Sequence, residues 1–229
     1  MKIIIKLILI LLFISCNSSL EKWKSYDETE EISKNSSSEN QKLRYKRIQS
    51  ISTDKNKLIN GLENEIENFI KTKYDKLKPK IVEKSIPELQ QSVINKDFSY
   101  YDLTLFYLTR IYLIEFNDET YLNSIISINK NILEEAKSKD NQGNSDIYSV
   151  FGIPILLKDN IGFESLPTTA GAHSLQNNYT KDAFIVEKLE EKGALILGKT
   201  NLSEWANYFC SGCPNGYTAL GGQTLNPYG

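Results

Sequence analysis

The chain has 229 residues, 40% apolar and 24% charged, enough for one sizeable hydrophobic core or two small ones. Lys and Arg number 27 against 29 Asp and Glu, a formal net charge of -2, which removes any general electrostatic case for nucleic acid as a partner. The basic cluster Lys42, Arg44, Lys46 and Arg47 sits among acids and polar residues and reads as a solvated segment.

Residues 1–16 differ from everything after them. Lys2 and Lys6 punctuate an apolar stretch that runs from Leu7 to Ile14, and Ser15 and Cys16 follow, the layout of a secretory signal. About a dozen apolar residues are too few for a bilayer-spanning helix, which needs about 20. Leu12-Phe13-Ile14-Ser15-Cys16 resembles a bacterial lipobox, in which Cys16 would carry the lipid and tether the mature chain to a membrane outside the cytoplasm. Residues 17–52 are rich in Ser, Asn, Lys and Glu, and we expect a flexible tether.

Residues 53–80 repeat apolar side chains at helical spacing (Leu58, Leu62, Ile66, Phe69, Tyr74, Leu77), with Pro79 as the expected stop, and predict one amphipathic helix packed on the body. Ser85-Ile86-Pro87-Glu88 has capping-box spacing and opens a helix to about Asn95. Ser99 caps a mostly buried helix through Ile114, residues 123–129 predict a short strand, and residues 131–139 a further helix.

A β-α-β pattern follows. Val150–Leu157 is the first strand. Thr180 or Asp182 caps a helix to Lys192 with Phe184, Ile185 and Leu189 among its inward candidates, Gly193 ends it, and Ala194–Leu197 is the second strand. Such a crossover yields parallel strands and an α/β sheet. Gly193–Thr200 fits the letters of a phosphate-binding GxxxxGKT loop. Its four middle residues are strand rather than flexible turn, however, and a helix precedes them, so the pattern is a decoy.

Four segments carry a family resemblance: GIPILLKDN (152–160), PTTAGAHSL (167–175), DAFIVEKLEEKGALILGKTNLSEWANY (182–208) and GGQTLNPYG (221–229). In this order they resemble the N-terminal part of the amidase signature family, stand-alone amidases more than the A subunit of tRNA-dependent amidotransferases. The resemblance covers about residues 81–229. It implies an α/β fold, the first part of an α/β/α mixed-sheet domain, preceded by helices and the tether. It further implies hydrolysis of carboxamide C–N bonds by a Ser-Ser-Lys arrangement, with a small amide or peptide amide as substrate and no cofactor.

In that scheme Lys158 is the neutral base; a lysine buried at a strand end loses its charge readily and can accept a proton near neutral pH. It deprotonates a bridging serine that activates the nucleophilic serine, and backbone N–H groups stabilise the oxyanion. Both serines would lie beyond a segment like NPYG, outside this chain, so we expect these residues alone to be inactive. Ser203 reads as a cap at a helix start and Asp159 as an orienting group. Ser211 and Gln223 are the candidates on the substrate side. Three further readings stay open: a non-enzymatic surface lipoprotein, an enzyme split over two chains, and an amidotransferase A-subunit relative. Cys210 and Cys213 form a lone CxxC, consistent with a local disulfide, with unpaired small residues, or with a redox or metal pair. His173 is the sole histidine and no second ligand pair exists, so no metal is expected.

Overall fold

The structure is a computed structural model that describes residues 19–44, 46–209, 212 and 215–228. After a short helix α1 (Thr29–Asn35), the predicted 53–80 helix is realised in three pieces: α2 (Asn56–Ile59), α3 (Glu63–Thr72) and α4 (Tyr74–Ile81). Gly61, with φ of 82°, lies in the break between α2 and α3. Pro79 lies inside α4 rather than ending it; the helix runs on to Ile81, whose side chain is fully buried. All six apolar side chains picked out by the helical spacing are buried.

Two helices then set the height at which the sheet begins. α5 (Ile86–Ile94) starts as predicted: the Glu88 carboxylate accepts from the Ser85 N–H at 2.8 Å and from its hydroxyl at 2.7 Å. α6 (Tyr100–Glu115) is capped by Ser99, whose Oγ accepts from the Asp102 N–H, and it is apolar on most sides because other elements surround it. Gln90, fully buried on α5, accepts from the Tyr100 hydroxyl at 2.6 Å and donates to the carbonyls of Ser149 and Phe151. Gly152 follows at φ of 69°, and a Cβ there would stand 2.3 Å from the Tyr100 ring; no other residue fits this entry to the sheet.

The principal sheet has order β1-β3-β2, with β1 at Ile125–Ile128, β2 at Pro154–Lys158 and β3 at Leu195–Thr200. β2 and β3 are parallel, as the crossover required, whereas β1 runs antiparallel to β3, so the sheet is mixed. Proline opening β2 suits an edge strand, which has no need of that N–H.

Alternation along the strands separates two cores. Ile153, Leu195 and Leu197 join the large cluster under α3, α4, α6 and α7 (Ile132–Gln142). Leu157 and Ile196 join Phe163, Leu166 and Val186 beneath α8 (Phe184–Glu191) on the other face. Helices on both faces of a mixed sheet make the expected α/β/α layering.

In α8 the inward assignment is corrected. The helix starts at Phe184 after Ala183, a position later than either expected cap; Val186 faces the core and Phe184 and Ile185 are exposed, while Leu189 is partly buried as expected.

The expected tether instead packs along the body over its described part. Arg47 donates to the Tyr121 hydroxyl at 2.7 Å and pairs with Glu31 at 3.1 Å. Further on, residues 48–53 run beside a small hairpin formed by β4 (Tyr217–Thr218) and β5 (Gly222–Gln223). The Gln223 N–H donates to the Ile48 carbonyl at 2.8 Å, Ser50 and Ser52 hydroxyls donate to the Ala219 carbonyl, and Thr53 to that of Leu220. Residues 1–16, with Cys16, lie outside the described residues.

Candidate active site

The chemistry-bearing residues gather where parallel strands β2 and β3 end. Lys158 closes β2, paired with Thr200 across the ladder. Its side chain is exposed, so the expected desolvation is not found. The pleat turns Lys158 away from the core beneath α8, which takes Leu157, and as the last residue of an edge strand it stays exposed on the other face.

Asp159 is fully buried. Its Oδ2 accepts from the Thr169 hydroxyl and from the Gly171 N–H at 3.2 Å, while its backbone carbonyl accepts from the Ala170 N–H at 3.1 Å. Its Oδ1 has no hydrogen-bond partner among the described residues. Burial pushes the carboxyl above its ordinary value, against the opposing pull of Thr169, Gly171 and Lys199. Asp159 thus closes the base of the excursion from residue 159 to residue 171, the orienting role expected of it.

At this site the desolvated lysine is Lys199 on β3. It is 0% exposed, and its Nζ donates to the Ile161 carbonyl at 2.5 Å and to Thr168 Oγ1 at 3.2 Å. Burial draws its ammonium below the ordinary lysine value, with Asp159 opposing the shift. In the sequence Lys199 falls within the decoy phosphate loop, which hides it. The signal that could have found it is a lysine inside an apolar strand run, Leu195 to Thr200.

A cavity of about 330 Å³ opens beside the turn, lined by Asn160, Thr168, Ala170, Leu202, Trp205 and Ala206 among others. Trp205, Ala206 and Asn207 all have positive φ, 49°, 54° and 62°, a left-handed run that L-residues avoid. The Trp205 N–H donating to the Ala170 carbonyl at 3.0 Å holds this run to the cavity wall. The expected helix start at Ser203 is a single 3-10 turn, Glu204–Asn207, and the serine does not cap it. Instead Ser203 Oγ accepts from the Gly216 N–H at 2.8 Å, pinning the next loop. Gln223 spends its side-chain amide on the carbonyls of Asn215 and Thr224. Ser211, Cys210 and Cys213 lie outside the described residues.

The family model for amidase matches residues 102–229, more than half of the chain and all of the region just described. The chain belongs to the amidase family. A probable amidase of Arabidopsis thaliana is 38% identical over 113 residues, covering 47% of this chain and 22% of that protein. The solved structure of an amidase family protein from Bacillus anthracis str. Ames is 36% identical with a TM-score of 0.72, over 81% of this chain and 37% of that one. The native peptide amidase of Stenotrophomonas maltophilia is 37% identical with a TM-score of 0.60, over 64% of this chain and 30% of that one. Glutamyl-tRNA(Gln) amidotransferase A subunits are also among the relatives. The chain spans about a quarter of the length of the curated relatives it matches.

Proposed function

We propose that this chain forms the first part of an amidase domain that hydrolyses carboxamide C–N bonds, with Lys158 as the base of a Ser-Ser-Lys relay. The observation that carries the reading is the family match over residues 102–229, with Lys158 at the carboxyl end of a parallel strand. In open α/β sheets that end is where ligands bind. The serines come from the part of the domain not contained in these 229 residues. An exposed Lys158 fits that view: the side chain would lose its water only when the remainder of the domain covers it. As a neutral amine there, it could accept the proton of a serine hydroxyl.

The substrate class we favour is a peptide amide or small amide, because the peptide amidase is similar both in sequence and in shape. The amidotransferase A subunits keep a role as the A-subunit part of a tRNA-dependent amidotransferase as the second reading. We further propose that Cys16 is lipidated and holds the protein at a membrane outside the cytoplasm.

The test is hydrolysis of peptide amides by this chain alone and by the chain supplied with the remainder of an amidase domain, as a continuous polypeptide or as a second chain. Activity only in the supplemented form, lost by at least 100-fold in Lys158→Met, is the expected result. Hydrolysis by the 229 residues alone would overturn the placement of the serines. No activity in any form would favour a binding module.

A further inference from the structure

The carboxyl ends of β2 and β3 carry two lysines, and the proposed relay uses one. Lys199 is a costly residue to seal inside a strand, since a carbonyl and a hydroxyl replace only part of the hydration its ammonium loses. A methionine would fill the same space without that cost. What the ammonium adds is a bridge that reinforces the long bond, 3.4 Å, from the Thr168 hydroxyl to the Ile161 carbonyl. Its two acceptors, the Ile161 carbonyl and Thr168 Oγ1, belong to the outgoing and returning arms of the excursion that leaves β2 right after Lys158. The outgoing arm is tied to Lys158 itself, because the Ile161 N–H donates to the Lys158 carbonyl at 2.9 Å. The returning arm is held by the Thr168 N–H to the Asn178 carbonyl at 2.8 Å. Asp159 closes the same excursion at its base.

We propose that Lys199 is a positioning residue for Lys158: reaching across from the neighbouring strand, it bridges Ile161 and Thr168 and so fixes the backbone from which Lys158 projects. The proposal rests on the reading of Lys158 as the base. A lysine suits the task because its long stem spans from β3 to the turn and its head has three donors for acceptors in different directions.

The test uses the full 229-residue chain with isotope-labelled lysines. The Lys158 side-chain NMR signal is identified by its loss in Lys158→Arg, and amide hydrogen exchange is followed by mass spectrometry. In Lys199→Met, exchange across residues 160–169 should rise at least tenfold and the Lys158 signal should move, while exchange in α6 stays as in the parent. Thr168→Val, which removes one acceptor of the lysine together with the hydroxyl's own bond to the Ile161 carbonyl at 3.4 Å, should move both readouts in the same direction. A folded Lys199→Met with the turn's exchange and the Lys158 signal unchanged overturns the proposal. If Lys199→Met does not fold, Thr168→Val decides alone, and an unmoved Lys158 signal there overturns it equally. Neither readout depends on hydrolysis: a moved signal with an active Lys158→Met enzyme would sink the relay and leave the bridge standing. An unmoved signal with an inactive Lys158→Met enzyme would do the reverse.

Discussion

Asp159 and Lys199 show at the scale of single residues how this region trades stability for order. Both are sealed from water, and in both the charged form is disfavoured by burial. Their pH signatures have opposite locations. The folded-state affinity of Asp159 for its proton is raised, so between the ordinary aspartate value of 3.8 and its higher folded value the native state binds more protons than the unfolded chain. Stability therefore falls as pH rises through that window and the loss persists above it. Asp159→Asn removes this dependence. Urea unfolding of both proteins at a series of acidic pH values should show the parent losing ground to the variant as pH increases from about 4; parallel curves would contradict the buried carboxyl. The sequence supplied the identity and orienting role of Asp159. It did not supply the partners, since Thr169 and Gly171 are neighbours only after the chain has turned back.

Elements were read most reliably where local chemistry alone decides them. The Ser85 and Ser99 starts depend on side chains within three residues, and both helices begin there. The strand-helix-strand order from residue 150 to residue 200 follows from period and punctuation, and β2 and β3 are parallel as a result. Tertiary contacts choose among similar local options elsewhere: on α8 the face with Val186 and Leu189 meets the sheet, while the equally apolar Phe184 and Ile185 stay exposed. β3 offers a prediction of its own. Gly198 faces β1 so closely that a Cβ would stand 2.2 Å from the Ser127 carbonyl oxygen. Gly198→Ala must push β1 away or shift the register, and should destabilise the chain by about 1–3 kcal/mol in denaturant unfolding. Wild-type stability would show that β1 yields freely.

For the whole molecule, the N-terminal segment joins the family region instead of trailing from it. Lys55 and Glu115 form a buried pair at 2.7 Å, 3% and 1% exposed, and the Glu115 carboxylate also accepts from the N–H groups of Asn123 and Ser124 just before β1. Burial holds the Lys55 ammonium below its ordinary value, with Glu115 opposing. Glu115→Ala would strand that lysine and two backbone donors together, and should cost about 3–5 kcal/mol in the same unfolding measurement. An effect under about 1 kcal/mol would indicate a pair no stronger than a surface contact. The three-stranded sheet has no further strand beside β1 or β2 among the described residues, and such bare edges favour association.

The sequence by itself determined the class of fold, the order of the central elements, the family and the lysine at the end of β2. These follow from short-range period, capping and the spelling of contiguous motifs. Which of the two lysines at the strand ends is desolvated, and whether residues 19–53 trail or dock, were decided only in three dimensions. Burial is set by what returns from far along the chain: Thr168 above Lys199, the 217–223 hairpin beside Ser50, Glu115 against Lys55. One-dimensional periodicity reports which face a residue occupies and is silent about what comes to cover it.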